Sequence, residues 1–327
     1  GPAGLAAGYF LARAGHPVTL FEREANAGGV VQNIIPQFRI PGELIRQDID
    51  FVVDHGVKIE YGCDPQLTVE KLREQGFSYV LVGTGTDKNS GVRLAGDNQN
   101  VYKSLPFLRD FNRGVELPLG KHVAVVGAGN TAMDCARAAL RVPGVETATI
   151  VYRRSQQEMP AWREEYEEAV HDGVRFEWLC NPESFNADGT LTVRVMTLGE
   201  PDAKGRRRPV ETDDTRVLKV DALITAIGEQ QDGEALSAMG IPLDAQGWPV
   251  VNADGETSRP NVFLIGDVQR GPSSIVSAIG NARRATDAIL ARENIASHHG
   301  SKRWNNVDPA EIYQRKGTIA VALVDKD

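Results

Sequence analysis

The sequence predicts an α/β fold made of two Rossmann-like dinucleotide-binding domains, and three observations predict it. A glycine-rich turn that opens a helix occurs twice, as Gly1-Pro2-Ala3-Gly4 and as Gly127-Ala128-Gly129-Asn130-Thr131-Ala132. An apolar strand that empties into small residues also occurs twice, at Gly83-Thr84-Gly85 and at Ala226-Ile227-Gly228. Between these marks, short apolar runs alternate with helical periodicity, the pattern of parallel strands joined by crossover helices. Duplication of one binding unit explains both recurrences.

Read as the second half of G-x-G-x-x-G, Gly1 is the middle glycine and Gly4 the third, so the first glycine and its strand are expected upstream of Gly1. Residues 3–14 read as a helix stopped by Gly15-His16-Pro17. Residues 18–21 then read as a buried parallel strand ending on Glu22, 18 residues after Gly4. That spacing suits a dinucleotide. Glycines let a pyrophosphate approach the backbone at a helix start, and a carboxylate on the next strand accepts from the ribose hydroxyls. Gly28-Gly29 closes a turn-rich loop where the backbone can lie against a phosphate or a sugar. In the apolar loop Ile35-Pro36-Gln37-Phe38-Arg39-Ile40-Pro41, Arg39 is either a surface residue with a buried stem or a ligand contact beside the phosphate site. Helices over 43–54 and 68–75 and strands over 57–61 and 79–82 follow, the last leading to Gly85.

From about Val101 the chain crosses to the second unit: a helix over 105–111, a strand over 123–126, the complete glycine turn, a helix over 133–140 and a strand over 148–152. About 25 residues after Gly127, where an NAD site carries an acid, stand Tyr152-Arg153-Arg154. Two guanidinium groups suit a 2′-phosphate, which they bind with forked, charge-assisted bonds. The plain alternative is a pair of exposed arginines at a strand end; the reading taken is NADPH over NADH. A charged helix over 164–171 and a strand over 174–179 come next. Strands over 190–198 and 215–220 flank a turn at Arg206, Arg207 and Arg208. The basic run from Lys204 is either a solvated hairpin tip or a docking patch for an acidic partner. A strand over 222–226 ends the unit.

Asn261-Val262-Phe263-Leu264-Ile265-Gly266-Asp267 reads as a buried strand, followed by Gly271-Pro272-Ser273-Ser274 and a helix over 275–293. An aspartate at a strand's carboxyl end can accept from a ribityl or ribose hydroxyl, and Asp267 lies several residues too early to cap the helix. The positive end of that helix, aimed at an isoalloxazine, would stabilise the reduced anion. Beyond Asn294 the text turns polar: His298-His299 reads as a solvated linker, residues 318–324 as a strand, and the chain is expected to continue past Asp327.

Length and composition agree with two domains. The chain has 327 residues, 41% hydrophobic and 24% charged, with no apolar run of the roughly 20 residues that span a bilayer. A net charge of −8 argues against nucleic acid as the main partner. Cys63, Cys135 and Cys180 are an odd number without a C-x-x-C pair. They fit a reducing cytoplasm, and they exclude a thioredoxin-reductase-like disulfide or an iron-sulfur cluster carried by this segment.

With these residues in view, the sequence resembles the flavoproteins built on the glutamate synthase small subunit. That module also occurs in dihydropyrimidine dehydrogenase, and the likeness is nearest to the selenate reductase flavoprotein subunit of enterobacteria. It covers about residues 1–292. Its most specific strings are Ile35 through Pro41, Gly127 through Cys135, Tyr152-Arg153-Arg154 with Glu158-Met159-Pro160, and Gly199-Glu200-Pro201-Asp202 with Gly205-Arg206-Arg207-Arg208-Pro209. The resemblance implies that FAD is held by Gly1, Pro2, Ala3, Gly4, Glu22, Arg23, Gly29, Arg39, Gly85, Gly266 and Asp267, with Ser273, Ser274, Ile275 and Val276 under the ring. It implies that NADP(H) is held by Ala128, Gly129, Asn130, Thr131, Arg153 and Arg154, with Ala226, Ile227 and Gly228 along the diphosphate. It further implies an NADPH domain over 105–234 inserted into a discontinuous FAD domain over 1–104 and 235–292, with 293–327 as a tail towards a further domain.

Members of that family pass electrons from FAD to iron-sulfur clusters of flanking domains or a partner subunit. The function expected is therefore an NADPH-dependent FAD oxidoreductase module in the cytoplasm. No catalytic side chain and no metal ligand are expected, because hydride exchange between cofactors needs positioning rather than an acid or base. Two other readings stay open: a self-contained flavin enzyme that reduces a small molecule, and a non-catalytic module that binds nucleotide for structure or docking.

Overall fold

The computed structural model describes residues 1–296 apart from Pro65, Asp87, Ser90, Arg93, Ala203, Lys204 and Arg206. The expected strand over 318–324 and the His298-His299 pair lie outside the described residues. Helix α1 (Pro2–Arg13) starts on a proline, which is tolerated there because the first N–H groups have no helical partner. Gly15, at φ +91°, then turns the chain into strand β1 (Val18–Glu22). The short α2 (Val30–Asn33) and α3 (Gly42–Asp54) follow; Ile45, Ile49 and Val52 recur on one face of α3 and are buried. β2 (Val57–Tyr61) comes next. Thr68 then caps α4 (Val69–Glu74), which leads to β3 (Val80–Val82) and the two-residue β4 (Lys88–Asn89).

The middle of the chain runs β5 (Val101–Lys103), α5 (Ser104–Asn112), β6 (His122–Val126), α6 (Asn130–Leu140), β7 (Thr147–Tyr152), α7 (Arg163–His171) and β8 (Arg175–Trp178). Three antiparallel strands come after it, β9 (Cys180–Phe185), β10 (Thr190–Pro201) and β11 (Arg207–Lys219). The chain then returns through β12 (Ala222–Thr225), β13 (Glu229–Gln230), α8 (Gly233–Ala238), β14 (Val262–Leu264) and α9 (Ile275–Arg292).

β5, β12, β6, β7 and β8 form one parallel sheet in that order. β6 is central, and its Val123, Ala124, Val125 and Val126 are all buried, as a parallel strand covered on both faces requires. α6 packs on this sheet through Ala132, Met133, Cys135, Ala136 and Ala139, all fully buried. β14 pairs in parallel with β3, so the chain comes back to its first layer after the long excursion. There α9 lies along α1, with Ala278, Ala282, Ala285 and Ile289 against Ala3, Ala7 and Leu11.

β1–β2 and β3–β14 are two separate ribbons. In the five-stranded sheet their counterparts, β7–β8 and β12–β5, are joined by β6, the strand that precedes the glycine turn.

Three elements differ from the sequence reading. The hairpin strands pair as far as Pro201 with Arg207, so Arg207 and Arg208 lie in β11 rather than in the turn. β9 adds a third strand, which Pro182 and its polar neighbours concealed; Pro182 is accommodated at a register shift against β10. The strand read as far as Asp267 stops at Leu264, because Gly266 at φ +74° breaks it into the short 3-10 turn Gly266–Gln269.

Phe263 on β14 is fully buried between the two parts of the chain that make this first layer. Phe263→Ala should cost about 3–5 kcal/mol in urea unfolding, and a loss below about 1 kcal/mol would contradict the packing described.

Candidate functional site

Helices α1 and α6 both begin on a glycine that offers no capping side chain, Gly1 and Gly129. The first backbone N–H groups of each therefore face outward at the positive end of the helix dipole, the arrangement that binds anions. Space is open in front of them: a Cβ placed on Gly4 or Gly129 would meet nothing within 4 Å. The residues present thus fit a diphosphate at either turn.

Around the first turn the backbone is drawn together by glycine. A Cβ on Gly29 (φ +60°) would lie 2.6 Å from the Gly1 Cα, and one on Gly266 would lie 2.8 Å from the Ala3 Cβ. The Gly1–Gly4 turn, Gly29 and Gly266 thus converge, although 237 positions separate Gly29 from Gly266. Glu22 ends β1 and accepts the Glu24 N–H at 3.0 Å, while the neighbouring Arg23 reaches Glu24 at 3.8 Å. Asp267, next to Gly266, accepts from the Ser273 hydroxyl at 2.5 Å. Ser274 caps α9 by accepting the Ser277 N–H at 3.1 Å, which leaves Asp267 free of that duty. Ile275 and Val276 at the start of α9 are exposed, Val276 to 78%. Gly85, at φ +72°, has open space where a Cβ would stand.

The second turn is tighter still. A Cβ on Gly127 (φ +129°) would lie 2.2 Å from the Ala226 carbonyl oxygen, so only glycine lets the exit of β12 cross the turn. Ala128 O accepts the Ala161 N–H at 3.1 Å, and Asn130 Oδ1 accepts the Trp162 N–H at 2.9 Å. These bonds pin the segment after Met159-Pro160 beside the turn. Ile227 is exposed and Gly228 has φ +127°. The Thr131 hydroxyl donates to the Glu229 carboxylate at 2.8 Å. At the end of β7, Arg153 is exposed. Arg154 buries an Nε that has no hydrogen-bond partner among the described residues. An unpartnered buried donor is costly, and a phosphate oxygen would satisfy it.

Arg39 stands elsewhere. Its guanidinium donates to both oxygens of Asp134 at 2.9 and 2.7 Å and also pairs with Glu165. Phe38 lies under Arg137 and Arg141, 5.0 and 4.2 Å from the ring centre. Asn112 Nδ2 donates to the Ile35 carbonyl at 2.9 Å. The loop around Phe38 is therefore docked on α6 and α7 by ion pairs and cation–π contacts. Arg39 is thus held in ion pairs and is not a solitary surface stem. Asp134 is 95 positions from Arg39, a pairing beyond the reach of sequence spacing. Glu229 was also missed in the sequence; its signal is an acid directly after the second strand-to-glycine exit.

The sequence pattern of the family described as "Pyridine nucleotide-disulphide oxidoreductase" matches residues 1–282. The chain is 78% identical over its whole length to "Putative oxidoreductase YgfK" of Escherichia coli (strain K12), and it spans 32% of that protein. It is 32% identical to "Glutamate synthase [NADPH] small chain" of the same organism, over 89% of this chain and 66% of that one. Among solved structures it is similar to Mycobacterium tuberculosis FprA in complex with NADPH, with a TM-score of 0.76 and 16% identity, over 96% of this chain and 87% of that one. This likeness is one of fold. Cys63, Cys135 and Cys180 are free, and no cluster of three potential metal ligands occurs among the described residues. No helix among them is long and apolar enough to cross a membrane.

Burial raises the Asp134 carboxyl from 3.8 to about 6, with Arg39 acting against the rise. The folded state thus holds this proton more tightly than the unfolded chain does. The stabilisation is present at low pH and is lost as pH rises through about 4 to 6. Asp134→Asn removes that loss: relative to the unaltered protein, it should gain on the order of 2 kcal/mol in urea unfolding between about pH 4 and pH 7. A constant difference across that range would contradict the burial assigned to Asp134.

Proposed function

The chain belongs to the pyridine nucleotide-disulphide oxidoreductase family, and on that premise we propose that it forms the NADPH-to-FAD unit of a larger flavoprotein. On this reading hydride passes from NADPH to FAD, and single electrons leave for an iron-sulfur centre of a flanking domain or partner subunit. The observation that carries the reading is the pair of uncapped helix starts behind open glycines, which gives one chain two seats for a diphosphate. FAD and NADP(H) are the cofactors, as the family and the NADPH-binding relatives indicate. Bound there, NADPH supplies a hydride, and FAD takes the electron pair and can release it one electron at a time.

The chain's own residues bind and orient. The N–H groups at the start of α1, with Gly1, Pro2, Ala3, Gly4 and Gly29, receive the FAD diphosphate. Glu22 accepts from its ribose and Asp267 from the ribityl chain. Ile275 and Val276 present an apolar surface to the ring, and Ser273 and Ser274 hold that turn through Asp267 and the α9 cap. Ala128, Gly129, Asn130 and Thr131 receive the NADPH diphosphate, with Ala226, Ile227 and Gly228 alongside. Arg153 and Arg154 take the 2′-phosphate, which the unpartnered Arg154 Nε supports. The FAD-binding domain comprises 1–104 and 235–292, and the NADPH-binding domain 105–234. The pairing of β14 with β3 supports that division. Three free thiols support a cytoplasmic location. An acceptor outside this stretch is supported by the want of a metal-ligand cluster among the described residues, and by the "small chain" in the name of one relative.

Arg153→Glu combined with Arg154→Ala tests the assignment in the full-length, FAD-loaded protein. The NADPH concentration for half-maximal flavin reduction should rise at least about tenfold, as loss of charge-assisted bonds implies, with NADH requirements nearly unchanged. Equal losses for both cofactors would remove the 2′-phosphate site.

A further inference from the structure

Glu229 follows the glycine exit of β12 directly and stands on β13. Its carboxylate accepts the Thr131 hydroxyl at 2.8 Å. Thr131 is the second residue of α6, behind the open space at Gly129. An acidic side chain thus holds the helix end where, on the reading proposed above, the NADPH diphosphate lies. Its charge is the wrong one for that neighbour.

Among the described residues, the groups around Glu229 do not offset that charge. From α6 come the neutral Thr131 hydroxyl and the buried Cys135 thiol, one helical turn further on, whose pKa Glu229 helps to raise. From the turn after β14 comes the carboxylate of Asp267. From β4, the Lys88 ammonium is drawn to Asp232 at 2.9 Å and Glu234 at 3.7 Å. Burial first, and Asp267 in addition, push the Glu229 carboxyl upward, with the Thr131 bond acting against them.

We propose that Glu229 is a specificity-determining residue of the pyridine-nucleotide site, whose carboxyl must be neutral for the diphosphate to seat against Thr131. The proposal rests on the NADPH assignment above and deepens it. A second anion arriving within about 4–6 Å disfavours the ionised carboxyl, so binding takes up a proton from solvent. Affinity therefore falls as pH rises through the titration of Glu229. Protonated, the carboxyl keeps an O–H that can donate to a phosphate oxygen, so the acid that opposes binding at high pH supports it at low pH. Its neighbour Asp267 belongs to the first turn, so Glu229 also stands between the two nucleotide seats.

Isothermal titration of the full-length, FAD-loaded protein with NADP+ tests this without turnover. Across about pH 5.5 to 8.5, Glu229→Gln should bind NADP+ with little pH dependence from this site and about tenfold more tightly than the unaltered protein at the upper end, a factor equal to one pKa unit of coupling. The two should converge at the lower end. In the unaltered protein, titrations in buffers of different ionisation enthalpy should register proton uptake on binding. A cofactor 2′-phosphate that releases its proton to solvent as it binds beside the arginines would give the opposite sign. Equal affinities of both proteins at every pH, or no proton uptake, would overturn the proposal and leave the NADPH assignment standing. Failure of both proteins to bind NADP+ at any pH would overturn the assignment and the proposal together.

Discussion

Two helices that begin without a capping side chain set the terms for the rest of the fold. A helix start leaves its first backbone N–H groups without a partner inside the helix, one fewer in α1 because Pro2 has none, and Gly1 and Gly129 supply no capping side chain. Such ends need water or an anion. The chain surrounds both with backbone that only glycine permits: Gly29 against Gly1, Gly266 against Ala3, and Gly127 against the Ala226 carbonyl. Packing so close to the helix starts leaves the space directly before Gly4 and Gly129 open. The apolar sheet beneath, above all the buried β6, holds the second turn in place.

Charge is distributed around these turns with a consistent logic. Arg154 brings an unpartnered buried donor to the end of β7, on the strand that follows α6, whereas Glu229 brings an acid to the start of α6 itself. One favours an arriving phosphate and the other resists it until neutralised. Arg39 is spent on Asp134 and Glu165, and with Phe38 under Arg137 and Arg141 it fastens the first part of the chain to α6 and α7. That contact ties the loop around Phe38 to the helix that opens on Gly129. The relative position of two redox cofactors governs transfer between them.

Local patterns were legible in the sequence and long-range pairings were not. The glycine turns, β1 and β6 with their apolar runs, and helices such as α3 with a repeating buried face all follow from spacing within about a dozen residues. The return of the chain to its first layer was legible through resemblance alone, since nothing within Val262-Phe263-Leu264 says that it pairs with β3. β9 escaped because Pro182 and polar residues break the period-two pattern while tertiary pairing overrides them. Among the candidate site residues, Glu22, Arg153 and Arg154 could be picked out because they end or closely follow a strand, and Asp267 because it closes an apolar run, although the strand itself stops at Leu264. Glu229 could have been found by comparing the two strand exits, which differ in the acid after Gly228. Asp134 could not, because a buried ion pair across 95 positions leaves no spacing to read.

On the function proposed, this chain carries hydride from NADPH to a flavin that it holds itself. The most direct test is an anaerobic titration of the full-length, FAD-loaded protein with NADPH and then with NADH, following the visible absorbance of the oxidised flavin. Stoichiometric bleaching by NADPH is expected, at concentrations at least about tenfold below those needed of NADH, because the 2′-phosphate adds charge-assisted bonds. Flavin that is bound yet not reduced by NADPH would contradict it.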